Sequence, residues 1–255
     1  SVTSIGTSVF GYCSSLTGIW VDPDNQYYAS DAKGVLMDKA QTKLLAVPLK
    51  LSGHYTIPAG VTKIESSLFS GCKSMTGITI PEDVTEIGYR AFENCTELEA
   101  VYIGRSVTSI GPDAFAGCGK LKQIIIPASV KEMSARCFKN CIQLEEVSFG
   151  ELSMCEYIGN GNFSGCAKLK KITIPELVSR ISFQAFENCI SLTSINFPDA
   201  LRTIERHAFA GCSALREIIT SERPYFYKIE DDVFMDCPQL KRDNGKVLIA
   251  GYYFN

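Results

Sequence analysis

The sequence is poor in the residues that most often carry chemistry. It has two histidines, His54 and His207, and one tryptophan, Trp20, in 255 residues. His207 stands five places before Cys212, a spacing open to a Cys–His nucleophile pair. A reactive thiol needs an accessible, electropositive setting, however, and Cys212 belongs to a regular series of cysteines. No HExxH, Walker A, GxGxxG or GxSxG string occurs. Cys137 and Cys141 lie four apart, but no further Cys or His pair completes a zinc site. The acidic clusters Asp22/Asp24 and Glu230/Asp231/Asp232 with Asp236 lack the alternation of a calcium loop and read as solvated turns. No catalytic residue, metal or cofactor is expected. Excess charge is missing as well. Against 28 Asp and Glu stand 25 Lys and Arg, a net charge of −3, so no basic field favours nucleic acid or an anionic membrane surface. No apolar run approaches the roughly 20 residues of a membrane span, so no membrane insertion is expected.

What the chain does have is a repeat. Phe-x-x-Cys occurs nine times, with Phe at 10, 69, 92, 115, 138, 163, 186, 209 and 234, mostly 23 residues apart. A fixed period of this length means stacked supersecondary units. Three residues after each Cys comes an apolar residue such as Leu98 or Leu121. Then follow two apolar positions separated by one residue, as in Val101/Ile103 and Ile124/Ile126. That alternation, rich in β-branched residues, predicts a short strand with one buried face. Pro81, Pro127, Pro175 and Pro198 close several strands. A second apolar rung follows, at Val84/Ile87 and Val107/Ile110. A small residue beside each Phe (Ala91, Ala114, Ala185, Ala208) predicts a tight turn of helix or 3₁₀. One unit cannot bury its own apolar side; stacking does so. Nine strands about 4.8 Å apart would form one parallel ribbon roughly 40 Å long. The bulkier opposite flank would curve the stack with the sheet inside.

The string Ala91-Phe92…Cys95…Leu98…Val101…Ile103, then Val107…Ile110-Gly111, resembles the BspA-type leucine-rich repeat. The resemblance covers nearly all of the chain. It implies an α/β fold: a right-handed β-α solenoid, or horseshoe, with a concave parallel sheet and short helical or 3₁₀ turns on the other flank. It also implies a bacterial surface or secreted protein, some relatives being adhesins for host proteins.

A single domain, 1–255, of about nine to ten units is expected. It starts at Ser1-Val2-Thr3-Ser4-Ile5, in the middle of a repeat, as a processed or trimmed piece of a longer protein would. From Cys13 to Cys72 the spacing is 59 residues. The extra material, at about 22–54, reads as a hairpin of Gly34–Met37 and Leu44–Val47 around a polar turn. It is either a structural variant of one repeat or a projecting edge for a partner. Two-residue insertions fall near 150–155 and 222–226. The last stretch, about 241–255, suits a cap, with Asp243 where an Ile is due and Tyr252–Phe254 to cover the last rung. Asn94-Cys95-Thr96 and Asn162-Phe163-Ser164 fit a glycosylation sequon but straddle core rungs.

Eleven cysteines would usually prompt a disulfide map. Nine share one rung, so their Cβ vectors run parallel and cannot converge on a bridge; a reduced, buried thiol ladder is expected. Cys137 takes the small-residue slot beside Phe138. Cys155 lies in an insertion and is expected to be more exposed.

Binding would show on the open side of the strands. Outward positions are Trp20, Thr79, Tyr102, Ile125, Ser148, Thr173, Asn196 and Ile219. Gln123, Glu146 and Lys171 lie two places before such positions. Trp20 with Tyr102 and Ile125 is the expected apolar, aromatic element, since interfaces favour such anchors. Trp20, Tyr102, Gln123, Ile125, Glu146, Lys171 and Ile219 are therefore the candidate partner-binding residues. The reading is a non-enzymatic, extracellular or cell-surface recognition module for a protein or glycoprotein, host extracellular matrix among them. The alternatives are a spacer or substrate-recruiting domain of a larger secreted enzyme, and an intracellular scaffold.

Overall fold

Strand alternation at Val101/Ile103 and its equivalents builds parallel strands from successive units. The structure, a computed structural model, describes residues 2–6, 9–11, 13–220, 226–243, 246–249 and 252–254. Ser52–Thr56, Ser74–Ile80 and Ala100–Ile103 pair as one group. Gln123–Ile126, Glu146–Phe149 and Lys171–Ile172 form a second, and Ser194–Asn196 with Glu217–Ile219 a third. Equivalent residues stand side by side, Ile78 by Val101 and Ile80 by Ile103, so apolar positions face the core on every tier. Among the described residues this ladder has eight strands in three groups, not nine in one ribbon. One break has a visible cause. The Asn196 side chain accepts from Ile174 N (2.8 Å) and donates to Ile174 O (3.0 Å), replacing a main-chain partner there.

The second apolar rung becomes a second parallel ladder. Lys63–Ile64, Glu86–Ile87, Ser109–Ile110 and Glu132–Met133 form one half. Tyr157–Ile158, Arg180–Ile181, Thr203–Ile204 and Lys228–Ile229 form the other.

The expected helical turns are absent: no helix occurs among the described residues. The residues two before and two after each of the eight repeat Phe residues from Phe69 to Phe234 are left-handed, Arg90 (φ 52°) and Asn94 (φ 57°) around Phe92, Gln184 (56°) and Asn188 (59°) around Phe186. A right-handed helix cannot contain that alternation. Alternate N–H groups instead point along the stack. Arg90 N donates to Pro112 O (2.9 Å), Phe92 N to Ala114 O (2.7 Å) and Asn94 N to Ala116 O (2.8 Å). The N–H groups between them, of Ala91, Glu93 and Cys95, close turns on Gly88, Arg90 and Phe92. The flank is thus a third ladder of hydrogen bonds between tiers, which meets the backbone's need for partners without a helix.

Inside, eight phenylalanines from Phe69 to Phe234 stack in one column, with centroids 5.0–5.7 Å apart and planes within 19°. Tyr55 stands at its N-terminal end, 5.8 Å from Phe69, and its hydroxyl donates to Asp31 Oδ2 (2.8 Å). Phe10 is half-buried outside this column. All eleven cysteines are free and ten are buried. The exception corrects the expectation for the ladder: Cys13 is exposed, on a rung whose Phe10 is itself only half-buried. Cys155 corrects the other way. The two-residue insertion places it in the slot of Val130 and Val178, fully buried. Cys137 is buried beside Phe138, its thiol donating to Ser134 O at 3.0 Å. In the next unit the same slot holds Asn162, wholly buried and bonded to Cys137 N and Met133 O.

The long insertion is a meander of three antiparallel strands, Tyr28–Ser30, Leu36–Asp38 and Leu44–Ala46, one more than the hairpin expected. Arg242–Asp243, Lys246–Ile249 and Tyr252–Phe254 form a second antiparallel meander at the far end. The insertion expected near 222–226 falls mostly on residues 221–225, outside the described residues, as do 244, 245, 250, 251 and 255 of the C-terminal stretch.

Candidate functional site

The open face of the first ladder carries one outward residue per tier. Thr56, Thr79 and Tyr102 stand in line, as do Ile125 and Ser148, and Asn196 and Ile219. Tyr102 and Ile125 come from consecutive units and are 49% and 65% exposed. The tyrosine is not loose: its hydroxyl donates to Glu82 Oε1 (2.7 Å), and Glu82 Oε2 accepts Arg105 N (2.5 Å). The hydrogen bond from Tyr102 holds the Glu82 carboxyl below its ordinary range, and the same bond raises the phenol. A ring fixed in this way loses little freedom on contact with a partner.

Beside that row, Gln123 stands next to Glu146 and Glu146 next to Lys171. Lys171 pairs with Glu146 across the tiers at 3.6 Å. Nearer the rim, Lys170 reaches Glu145 (2.8 Å) and Lys120 reaches Glu97 (2.5 Å). Exposed pairs of this kind contribute little to stability. Their effect here is to neutralise one tier with the next, which leaves no single-sign field.

The structure does not unite all the predicted residues. Ile219 stands at the C-terminal end beside Asn196. Trp20 is 68% exposed, as expected, but its segment forms no strand. Residues 31–35 come between it and the sheet: Ile19 N donates to Gly34 O (2.9 Å), while Lys33 Nζ donates to Ser52 O and His54 O (3.1 and 2.8 Å). Gly34 is required there, since it has φ 71° and a Cβ would sit 2.5 Å from Gly18 Cα. Sequence reasoning missed His54, placed at the end of the insertion. It lies on the open face with its Nε2 2.8 Å from Thr79 Oγ1 and its ring over Gly77, where any Cβ would strike Nδ1. The signal was Gly77, a missing side chain in the outward row one tier on.

Nothing assembles a reacting centre among the described residues. Burial pushes Cys72 and Cys141 up to about 12 and Cys212 well above its ordinary value, so these thiols stay protonated. His207 faces Asp232 (Nε2–Oδ2 3.9 Å) and the Phe183 ring, while the Cys212 thiol donates to Phe186 O. No group of three His, Cys, Asp or Glu side chains among the described residues is placed to hold a metal ion. No helix among them is long and apolar enough to cross a membrane.

Comparison with known proteins agrees with the architecture. A leucine-rich repeat protein from Eubacterium ventriosum superposes with a TM-score of 0.63 at 27% identity, over 96% of this chain and 59% of its own. The chain therefore spans under two thirds of that protein. A leucine-rich repeat protein from Bacteroides ovatus superposes with a TM-score of 0.56 at 27% identity, over 87% of this chain and 70% of its own. The leucine-rich repeat protein of T. pallidum shares the fold at 22% identity, with a TM-score of 0.52 over 86% of this chain and 90% of its own. No curated protein matches the sequence. Residues 51–154 and 151–246 match the BspA type leucine-rich repeat region in six copies, and with the stacked tiers this shows that the chain belongs to that family.

Proposed function

We propose that this chain is a non-enzymatic recognition module, extracellular or at the cell surface, which engages a protein or glycoprotein through the open face of its first ladder. The observation that carries the reading is the Tyr102–Ile125 pair: two exposed apolar groups on consecutive tiers, one of them fixed by Glu82. Gln123, Glu146 and Lys171 supply the polar surround, as interfaces place polar groups around an apolar centre. Family membership and bacterial leucine-rich repeat neighbours support a partner-binding role. Solenoids use extended faces of this kind for binding.

The test is a pull-down against extracellular-matrix proteins, mucins and glycans with the 255-residue chain and its Tyr102→Ala/Ile125→Ser variant. Loss of two central anchors is expected to weaken a captured partner by about 30-fold or more, on the order of 2 kcal/mol. Equal capture by a variant of unchanged stability would remove the face from consideration.

A further inference from the structure

The two-residue insertion after the strand Glu146–Phe149 changes the surface of one rim. On five tiers the residue just before the buried aliphatic that follows the strand is small or polar: Gly60, Asp83, Ser106, Ser129 and Ala200. On the two tiers between Ser129 and Ala200 it is Met154, before Cys155, and Leu177, before Val178. Two residues further along, Ser179 N donates to Glu156 O (2.8 Å), so Met154 and Leu177 are neighbours in register. Both are half-exposed, and Leu152, which the insertion also turns outward, is almost wholly so. Leu152 holds φ 54°, where Gly or Asn would serve the backbone better, so the fold itself has no use for a leucine there. A single exposed leucine needs no explanation. Three aliphatic groups on adjoining tiers, at a place that is small or polar on the others, do.

The same rim is acidic. Glu151 precedes Leu152 and Glu176 precedes Leu177; both are exposed, and neither carboxylate has an ion-pair partner among the described residues. Glu82 stands where Glu176 does, one residue after the turn proline, yet its carboxylate is taken up by the Tyr102 hydroxyl and Arg105 N. The cations of these tiers are turned elsewhere, Lys171 to Glu146 (3.6 Å) and Arg180 to Glu205 (3.9 Å). Aliphatic groups interleaved with free carboxylates select among occupants. An acidic segment or an anionic membrane surface is repelled. A neutral apolar surface covers the leucines but strips water from the carboxylates without replacing it. A second copy of this chain, paired through the same patch, sets like charges face to face. A segment that carries aliphatic side chains between Lys or Arg residues satisfies both groups. We propose that this rim docks such a basic, amphipathic segment of the protein partner. The inference rests on the protein-recognition reading but uses a different surface, the rim beyond Phe149 rather than the open face of Tyr102 and Ile125.

The probe is a fluorescein-labelled peptide of leucine and lysine patterned with one apolar face. Its anisotropy is followed against the 255-residue chain at physiological salt, where diffuse charge attraction is screened. Two control peptides carry glutamate for every lysine or serine for every leucine. The leucine–lysine peptide is expected to bind saturably and at least about tenfold more tightly than either control. Leu152→Ser/Leu177→Ser and Glu151→Gln/Glu176→Gln are each expected to weaken it by about tenfold or more. Neither is expected to lower the urea midpoint, since all four side chains are exposed. No saturable binding, equal binding of the serine control, or binding that survives either double variant would each overturn the proposal. So would self-association of the chain that Leu152→Ser/Leu177→Ser abolishes, which would make a second copy the occupant. The pull-down separates this from the open face: capture that depends on Tyr102 and Ile125 without peptide binding removes the rim alone. Peptide binding with capture indifferent to those two residues removes the face alone.

Discussion

Seven of the nine ladder cysteines, from Cys95 to Cys237, both fill a small apolar slot and donate a hydrogen bond to the preceding tier. The thiol of Cys118 reaches Phe92 O at 3.3 Å, and six others from Cys95 to Cys237 make the same contact to the preceding tier at 3.1–3.2 Å. Only a protonated thiol can donate, and burial keeps it so. The consequence is a pH dependence with a definite sign. The ordinary thiol value is 9.0, and the folded state raises it to about 12 at Cys72 and Cys141. The unfolded chain therefore loses these protons first. Their stabilisation is complete below pH 9 and is lost as pH rises from 9 through 12, at about 1.4 kcal/mol per pH unit for each thiol. The urea midpoint is expected to hold up to pH 9 and to fall as pH rises above it, and less so in Cys118→Ala/Cys141→Ala; a midpoint indifferent to pH would contradict this. Phe115, stacked between Phe92 and Phe138, carries a second prediction. Phe115→Ala is expected to cost about 3–5 kcal/mol in urea unfolding through the cavity it leaves, and an unchanged midpoint would deny its burial. The thiol ladder was legible because each of its cysteines stands three residues after a repeat Phe. Cys155 was not, because its register shows only once the two inserted residues before it are discounted.

At the scale of the element, the strands were legible from alternation, and the flanking turns were misread. Small residues beside a Phe resemble a helical turn, but the backbone there alternates in handedness. Half of the signal was present in the sequence. The position two after each Phe in the column is always Gly, Asn or Asp, from Gly71 and Asn94 to Gly211 and Asp236. The position two before is not, since Arg90, Gln184 and His207 hold it with positive φ against their preference. Inter-tier hydrogen bonds from both neighbours impose that geometry, which no single unit specifies. The inserted residue Leu152 shows the same strain without the compensation, at φ 54° and 96% exposed. Leu152→Gly is expected to raise stability by about 0.5–1 kcal/mol. Differential scanning calorimetry would register this as a higher midpoint, and a lower one would show that the leucine makes a stabilising contact.

At the scale of the whole molecule, the tiers form a one-dimensional stack whose ends need separate treatment. At one end Lys33 caps two carbonyls of the first strand, Ser52–Thr56, which blunts an edge otherwise open to further pairing. At the other, the chain turns into the antiparallel meander of Arg242–Asp243, Lys246–Ile249 and Tyr252–Phe254. Eight strands stand among the described residues where the repeat predicts nine, but the outward row followed from the repeat itself. The separation of Trp20 from Tyr102 did not, because nothing local in the insertion shows that residues 31–35 fold back between them. The account depends on the tiers enclosing their own interior, and the cysteines test that most directly. Thiol titration of the native protein with a water-soluble aromatic disulfide is predicted to count one fast-reacting group, Cys13, and eleven after unfolding in urea. Several fast-reacting thiols in the native state, or fewer than eleven in the unfolded one, would contradict the stack.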